Sequence, residues 1–162
     1  MTIFLSMPFD LLPYFFSGLF IFKIFSGIFF FQQKKQILTL YKHSDSKEIN
    51  NILGKIIIEN GFLRKNIQWC SFTLLINRNS LFIFPKDFYF IPSRSINIIF
   101  SNSDRKFTRH PIMLRKITVS KNSVELICYP DAISGSRRIQ IQNLNKEQVS
   151  VFNKIKNNNN YH

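Results

Sequence analysis

The chain has 162 residues and a formal net charge of +13, from 22 Lys and Arg against nine Asp and Glu. That length leaves room for one globular domain beside an N-terminal anchor, not two. Two cysteines, Cys70 and Cys128, are too few and too far apart for a disulfide framework or a cysteine metal site, and read as reduced, partly buried thiols.

Residues 1–10 carry no Lys or Arg, so they lack the basic start of a signal peptide, and no A-x-A-like cleavage site follows the apolar run. Residues 11–31, LLPYFFSGLFIFKIFSGIFFF, are 21 residues, about 31 Å as a helix, which matches a bilayer's hydrocarbon thickness. Fourteen of them are Leu, Ile or Phe, favouring insertion by about 4–8 kcal/mol. Lys23 opposes this by roughly 3 kcal/mol near the centre, and its stem can reach toward Lys34 and Lys35. Pro13 sits in the first turn, where proline is tolerated. The span could instead shift to Ile3–Phe22, exchanging Lys23 for Asp10. An interfacial helix fits less well, because Ser17 and Lys23 point in separate directions. The two F-S-G triplets are not at GxxxG spacing. Asp10 and Lys23 are the only charges before Phe31 and they cancel. The C-terminal flank has Lys34, Lys35 and Lys42, so the positive-inside rule places residues 32–162 in the cytoplasm. Reduced cysteines agree with that compartment.

Residues 32–54 read as a connector with helical options. Ile37–Tyr41 suits a continued helix or a strand. After Ser46, the spacing of Ile49, Ile52, Leu53 and Ile56 predicts a short helix, while Gly54 and Ile56-Ile57-Ile58 favour a strand. A helix yielding to a strand near Lys55 satisfies both.

From Asn60-Gly61, a turn dipeptide, the pattern is β. Strands are predicted at Phe62–Trp69, Ser71–Ile76, Leu81–Phe84, Ile96–Phe100, Met113–Val119, Val124–Tyr129 and Arg137–Ile141. Breaks fall at Asn77–Ser80, Pro85–Asp87, Pro92–Ser95, the polar loop 101–111, Ser120–Ser123 and Pro130–Ser136. Phe88–Ile91 leads into the Pro92 break. At Asn145 the period becomes helical. Asn145 can be the N-cap with Gln148 as its capping-box partner, and Val149, Phe152 and Ile155 share a face. Residues 157–162 read as a disordered tail. The fold class expected is an N-terminal transmembrane helix plus a mainly-β domain, residues 55–156. This domain is a six- or seven-stranded antiparallel, partly open barrel capped by a C-terminal helix at 145–156.

The domain resembles the pleckstrin-homology-like (PH-like) superfold. Residues 71–85, SFTLLINRNSLFIFP, look like the first hairpin of GRAM-type and bacterial PH-like domains. Residues 90–96, FIPSRSI, look like the following element, and Arg137–Ile155 like the last strand and closing helix. The likeness covers about residues 55–156. It departs in loop 101–111 and in the turn Asn77–Ser80, which lacks the family's Thr. An anchor followed by such a domain is similar to small bacterial membrane proteins. The resemblance implies a binding module, not a catalyst.

No G-x-S-x-G, H-E-x-x-H, Walker or dinucleotide fingerprint occurs. The carboxylates are scattered singly. His43, His110 and His162 are the only histidines; His110, before Pro111 in a basic loop, reads as solvated. Trp69 reads as core or rim packing. No enzyme, cofactor or metal is expected. The most functional-looking surface is basic: Arg105, Lys106, Arg109, Arg115 and Lys116 fall within twelve residues, with Arg137 and Arg138 as a second pair. Near an anionic leaflet each could contribute about 1 kcal/mol, or they could grip a phosphorylated headgroup as arginine forks do. A solvated basic face is the plainer alternative. Nucleic acid is disfavoured as a partner, because the aromatics lie inside apolar strands and are not interleaved with basic residues. The reading is therefore a membrane-anchored, cytoplasm-facing binding module for a lipid headgroup, peptide or membrane protein. Its rival is a subunit of a larger complex whose apolar N-terminus packs on a partner.

Overall fold

The computed structural model describes residues 11–60, 64–101, 104, 110–128 and 135–158. A long helix, α1 (Leu12–Tyr41), is followed by β1 (Lys47–Asn60), β2 (Arg64–Ile76), β3 (Ser80–Asp87), β4 (Ile91–Pro92), β5 (Ile96–Ile99), β6 (Pro111–Val119), β7 (Val124–Cys128), β8 (Gly135–Ile141) and a closing helix, α2 (Lys146–Asn158). Gly61 of the expected Asn60-Gly61 turn, most of loop 101–111, residues 130–134 of the Pro130–Ser136 break, and the end of the tail lie outside the described residues.

The sheet order is β2-β1-β8-β7-β6-β5-β3-β4, and β2 also pairs with β3. That pairing closes seven strands into a barrel and leaves β4 as a short addition on β3. The expected partly open, wholly antiparallel barrel is corrected on both points. Closure removes the free edges that an open sheet would present. The barrel is mixed because β5 runs parallel to β6, pairing Asn97 with Pro111 and Ile99 with Met113. The long 101–111 connection permits this: a hairpin forces antiparallel neighbours, whereas a crossover does not.

The expected helix after Ser46 is also corrected, since Lys47–Asn60 is strand throughout. Its register with β2 slips between Ile49 and Ile52, where Asn51 has φ 56°. A bulge adds one residue, so inward positions fall three apart at Ile49 and Ile52 and two apart afterwards. That three-residue step imitates helical spacing. Elsewhere the two-residue period holds. Phe72, Leu74, Leu81, Ile83, Ile98, Leu114, Leu126, Ile139 and Ile141 fill the interior.

Helix α2 adds Phe152 and Ile155 to this core. Its start is a reciprocal capping box: Gln148 N donates to Asn145 Oδ1 at 2.8 Å, and Asn145 N donates to Gln148 Oε1 at 2.9 Å. Leu144 N donates to Asn122 O, fixing α2 at the end where β6 turns into β7. The opposite end holds the close of β3 and the start of β8, and α2 does not cover it.

Helix α1 continues unbroken through residues 32–41 and lies along the outside of the barrel. One stripe, Gly27, Phe30, Lys34, Ile37 and Tyr41, is half-buried or buried, with the spacing of a single helical face. Ile37 packs with Leu75, Phe82 and Phe84 on the outer face of β2 and β3. Tyr41 stacks near Phe82, with ring centroids 4.9 Å apart. Toward the other end, Lys34 Nζ sits over the Phe84 ring and Ser95 Oγ donates to Gln33 Oε1 at 3.2 Å. Lys23 does not reach toward Lys34 and Lys35; its Nζ lies 3.7 Å from Asp87 Oδ2. The apolar N-terminal half of α1 therefore projects past the uncovered end of the barrel. By length and composition α1 is a candidate membrane span.

Gly54 marks the tightest point of the wall. A Cβ there would lie 2.1 Å from Gln140 O and 2.5 Å from a Phe72 ring carbon. The carbonyl belongs to the paired backbone of β8 and cannot rotate away. Gly54→Ala is expected to destabilise the barrel by about 1–3 kcal/mol, read as a lower urea midpoint at unchanged slope.

Candidate functional site

A cleft of about 460 Å³ opens at the uncovered end of the barrel and runs beside the C-terminal half of α1. Its polar lining follows from strand alternation. On β2 the inward series Phe72, Cys70 continues to Gln68. On β5, Ile98 and Ile96 continue to Arg94. On β6, Leu114 and Ile112 continue to His110. On β8, Ile141 and Ile139 continue to Arg137. Each of these polar residues stands two positions beyond an inward apolar one, and all four line the cleft. Ile56 and Ile58 of β1 form its apolar floor, and Gln33 and Gln36 of α1 border it.

Among the described residues no Asp or Glu lines this cleft. Arg137 is half-buried, and its Nε has no hydrogen-bond partner among the described residues. Burial lowers its pKa from the ordinary guanidinium value, the Cys128 thiol opposes this, and the like charge of Arg94 adds to it. A guanidinium so placed remains charged at neutral pH. Asp87, the nearest carboxylate in sequence to the cleft's Pro85, is engaged by Lys23 and by Gln68. Two arginines thus approach each other with no counter-ion among the described residues, an arrangement that an incoming anion would relieve.

The basic residues singled out from the sequence do not form one patch. Arg105, Lys106 and Arg109 lie outside the described residues. Arg115 and Lys116 are exposed on β6, at a register slip, away from the cleft. Arg138 points to the opposite face of β8 from Arg137, and its Nη2 lies 3.6 Å from Glu59 Oε2. Arg137 alone of the four described residues enters the cleft. Arg94, from the break expected at Pro92–Ser95, and His110, which keeps the exposure expected of it, join it there. His110 is exposed, with φ 50°. The signal for both was in the sequence, as the inward alternation extended past each strand's first apolar residue.

No protein-family model matches this chain. No curated protein is similar to it in sequence.

Among the described residues no three His, Cys, Asp or Glu side chains gather as a metal group. Cys70 and Cys128 are buried, free thiols. Burial pushes both up to about 12; the Asp87 charge adds to the rise at Cys70, and Arg137 opposes it at Cys128. A raised pKa favours the protonated form in the folded chain. The stabilisation this gives is complete below the ordinary thiol value and is lost as pH climbs from about 9 toward 12. Iodoacetamide at pH 8 is therefore expected to leave both thiols unmodified in the folded protein and to label both after denaturation. Mass spectrometry reads the difference.

Proposed function

We propose that this protein is a membrane-anchored, non-enzymatic binding module. In this reading the domain is a PH-like barrel carried on a single span, with residues 32–162 in the cytoplasm. Its cleft takes an anionic group, foremost the phosphate of a lipid headgroup. The observation that carries this reading is the pair Arg94 and Arg137, converging on a cleft whose described lining holds no carboxylate, at the barrel end from which the apolar helix projects.

Several features support the parts. The apolar helix, the barrel and the C-terminal helix are compatible with the PH-like arrangement, although the parallel β5–β6 pair departs from the expected all-antiparallel form. The charge asymmetry across residues 11–31 supports the orientation through the positive-inside rule. The cleft's mixture of an isoleucine floor and a few convergent cationic groups suits a ligand with one apolar and one charged part.

Carbonate extraction of the membrane fraction tests the anchor. The full chain is expected in the pellet, and release to the supernatant would contradict a spanning helix. The ligand class is tested on the full chain in nanodiscs of zwitterionic lipid, titrated with glycerol 3-phosphate in a calorimeter. Saturable one-site binding is expected, weakening as salt is raised. Heat no greater than that of dilution would remove the anion reading.

A further inference from the structure

We propose that the turn Phe88-Tyr89-Phe90 is a second membrane contact: an aromatic tip seated in the interface of the bilayer that α1 enters. The inference rests on the reading of α1 as the anchor. It adds a partner surface that the anchor does not imply, and it turns the arginine cleft toward the headgroups.

Three consecutive aromatic residues at the end of β3 are 70, 56 and 73% exposed. An exposed apolar cluster of this kind on a soluble domain marks a contact surface. The tip is also held in shape. Phe88 and Tyr89 have φ values of 49° and 70°, a conformation that L side chains avoid unless their surroundings impose it. Phe90 N donates to Asp87 O at 3.2 Å, and Ser71 Oγ donates to Tyr89 O at 3.1 Å. The backbone is thus fixed where it presents its rings outward.

Position identifies the partner. Both flanks of the turn touch α1: Asp87 pairs with Lys23 at 3.7 Å, and Ile91 Cγ2 lies 3.5 Å from where a Cβ on Gly27 would stand. Gly27 precedes Phe31, the end of the apolar run, by four residues. At 1.5 Å per residue that places the Ile91 flank about 6 Å inside the boundary, and Lys23, eight residues before Phe31, places the Asp87 flank about 12 Å inside it, so the tip spans and slightly exceeds the 5–10 Å over which interfacial apolar groups bury themselves. Phe25, Ile28 and Phe29 are exposed on the stretch of α1 that these flanks touch, so apolar rings and side chains face outward there as they do at the tip. Trp69, exposed on the outer face of β2 with Lys55 over its ring, stands next to the register pair Cys70–Asp87 at the tip's base. Tyr and Trp beside Lys is the composition of a membrane–water belt.

The test uses the full chain in nanodiscs made with lipids brominated at defined depths. Trp69 is the sole tryptophan, so Trp69→Phe gives a silent background. Three reporters are compared in it: Tyr89→Trp at the tip, Phe22→Trp in the helix and Lys121→Trp at the far end of the barrel. Shallow bromines are expected to reduce the Tyr89→Trp emission roughly two-fold or more, as for a ring buried in the interface, and to leave Lys121→Trp unchanged. Phe90→Trp is a second tip reporter should Tyr89→Trp not fold. Quenching of Phe22→Trp without quenching at the tip would overturn this proposal and leave the anchor standing. Quenching of neither would overturn both. Tip reporters protected from bromine, and exposed to it only when each disc holds one chain, would place a second copy on the tip and also overturn the proposal.

Discussion

Replacing Arg94 and Arg137 by Glu together is expected to abolish measurable binding of a phosphorylated headgroup without unfolding the barrel. A charge-assisted hydrogen bond contributes about 1.5–3 kcal/mol, so loss of Arg137 alone should weaken binding by roughly ten- to a hundred-fold. Reversing both charges adds repulsion to that loss. The structural consequence runs the other way. Arg137 is half-buried, with an Nε that has no partner among the described residues and a like-charged neighbour in Arg94. Arg137→Met keeps the stem that packs at the barrel mouth and removes the stranded charge. Its stability is therefore expected to be unchanged, or raised by up to about 1 kcal/mol, a trade common where a residue serves binding and not folding. Arg115→Glu with Lys116→Glu is the matched control. Those side chains are exposed and outside the cleft, so they should alter the salt dependence while leaving affinity within about three-fold. Calorimetry on zwitterionic nanodiscs reads all three variants. Equal losses from the β6 pair and the cleft pair would mean that diffuse charge, not the cleft, binds the anion.

The largest stability effect is expected at Phe152. Its side chain is fully buried, and it comes from α2 into a core built mainly by strands. Phe152→Ala should destabilise by about 3–5 kcal/mol, the combined loss of apolar transfer and the cavity left behind. Against the 5–15 kcal/mol typical of a whole domain, that is enough to leave the chain partly unfolded at 37 °C. The cavity would open at the end that α2 closes, far from the arginines. Binding per folded molecule should persist, and a urea titration should show a lower midpoint. By comparison Asn145→Ala removes one half of the capping box and should lose about 1 kcal/mol. A Phe152→Ala midpoint within error of the parent would mean that α2 is not part of the core.

Much of this architecture could be read from the residues, and the parts that could not have identifiable causes. The α2 cap, the three-residue face of Val149, Phe152 and Ile155, and the long apolar helix were all legible, because each is a local pattern. Strand closure was not. Whether β1 bonds to β8 depends on pairing between residues far apart in the chain, and the parallel β5–β6 step depends on the path of loop 101–111. The segment Lys47–Ile56 misled because a single bulged residue at Asn51 turns a strand period into a helical one. Along Leu12–Phe31 every face of α1 is apolar, and beyond it the stripe that meets the barrel includes Lys34 while Leu40 stays exposed, so polarity did not distinguish the packed face. The candidate site was half legible. Arg137 was singled out for its charge, but clustering in sequence grouped it with Arg138, which a two-residue period places on the opposite side of β8. Arg94 and His110 were legible only by extending the inward alternation of β5 and β6 past their apolar residues.

If Arg94 and Arg137 together form the proposed anion site on a membrane-anchored barrel, both guanidinium groups should respond to the same bound anion. The most direct measurement follows the arginine side-chain Nε–H resonances of the full chain, in zwitterionic nanodiscs, during titration with glycerol 3-phosphate. Saturable shifts of the Arg94 and Arg137 signals with one common midpoint are expected, while those of Arg115 and Arg138 stay still. Shifts that never saturate, or that appear equally at all four arginines, would contradict the proposed site.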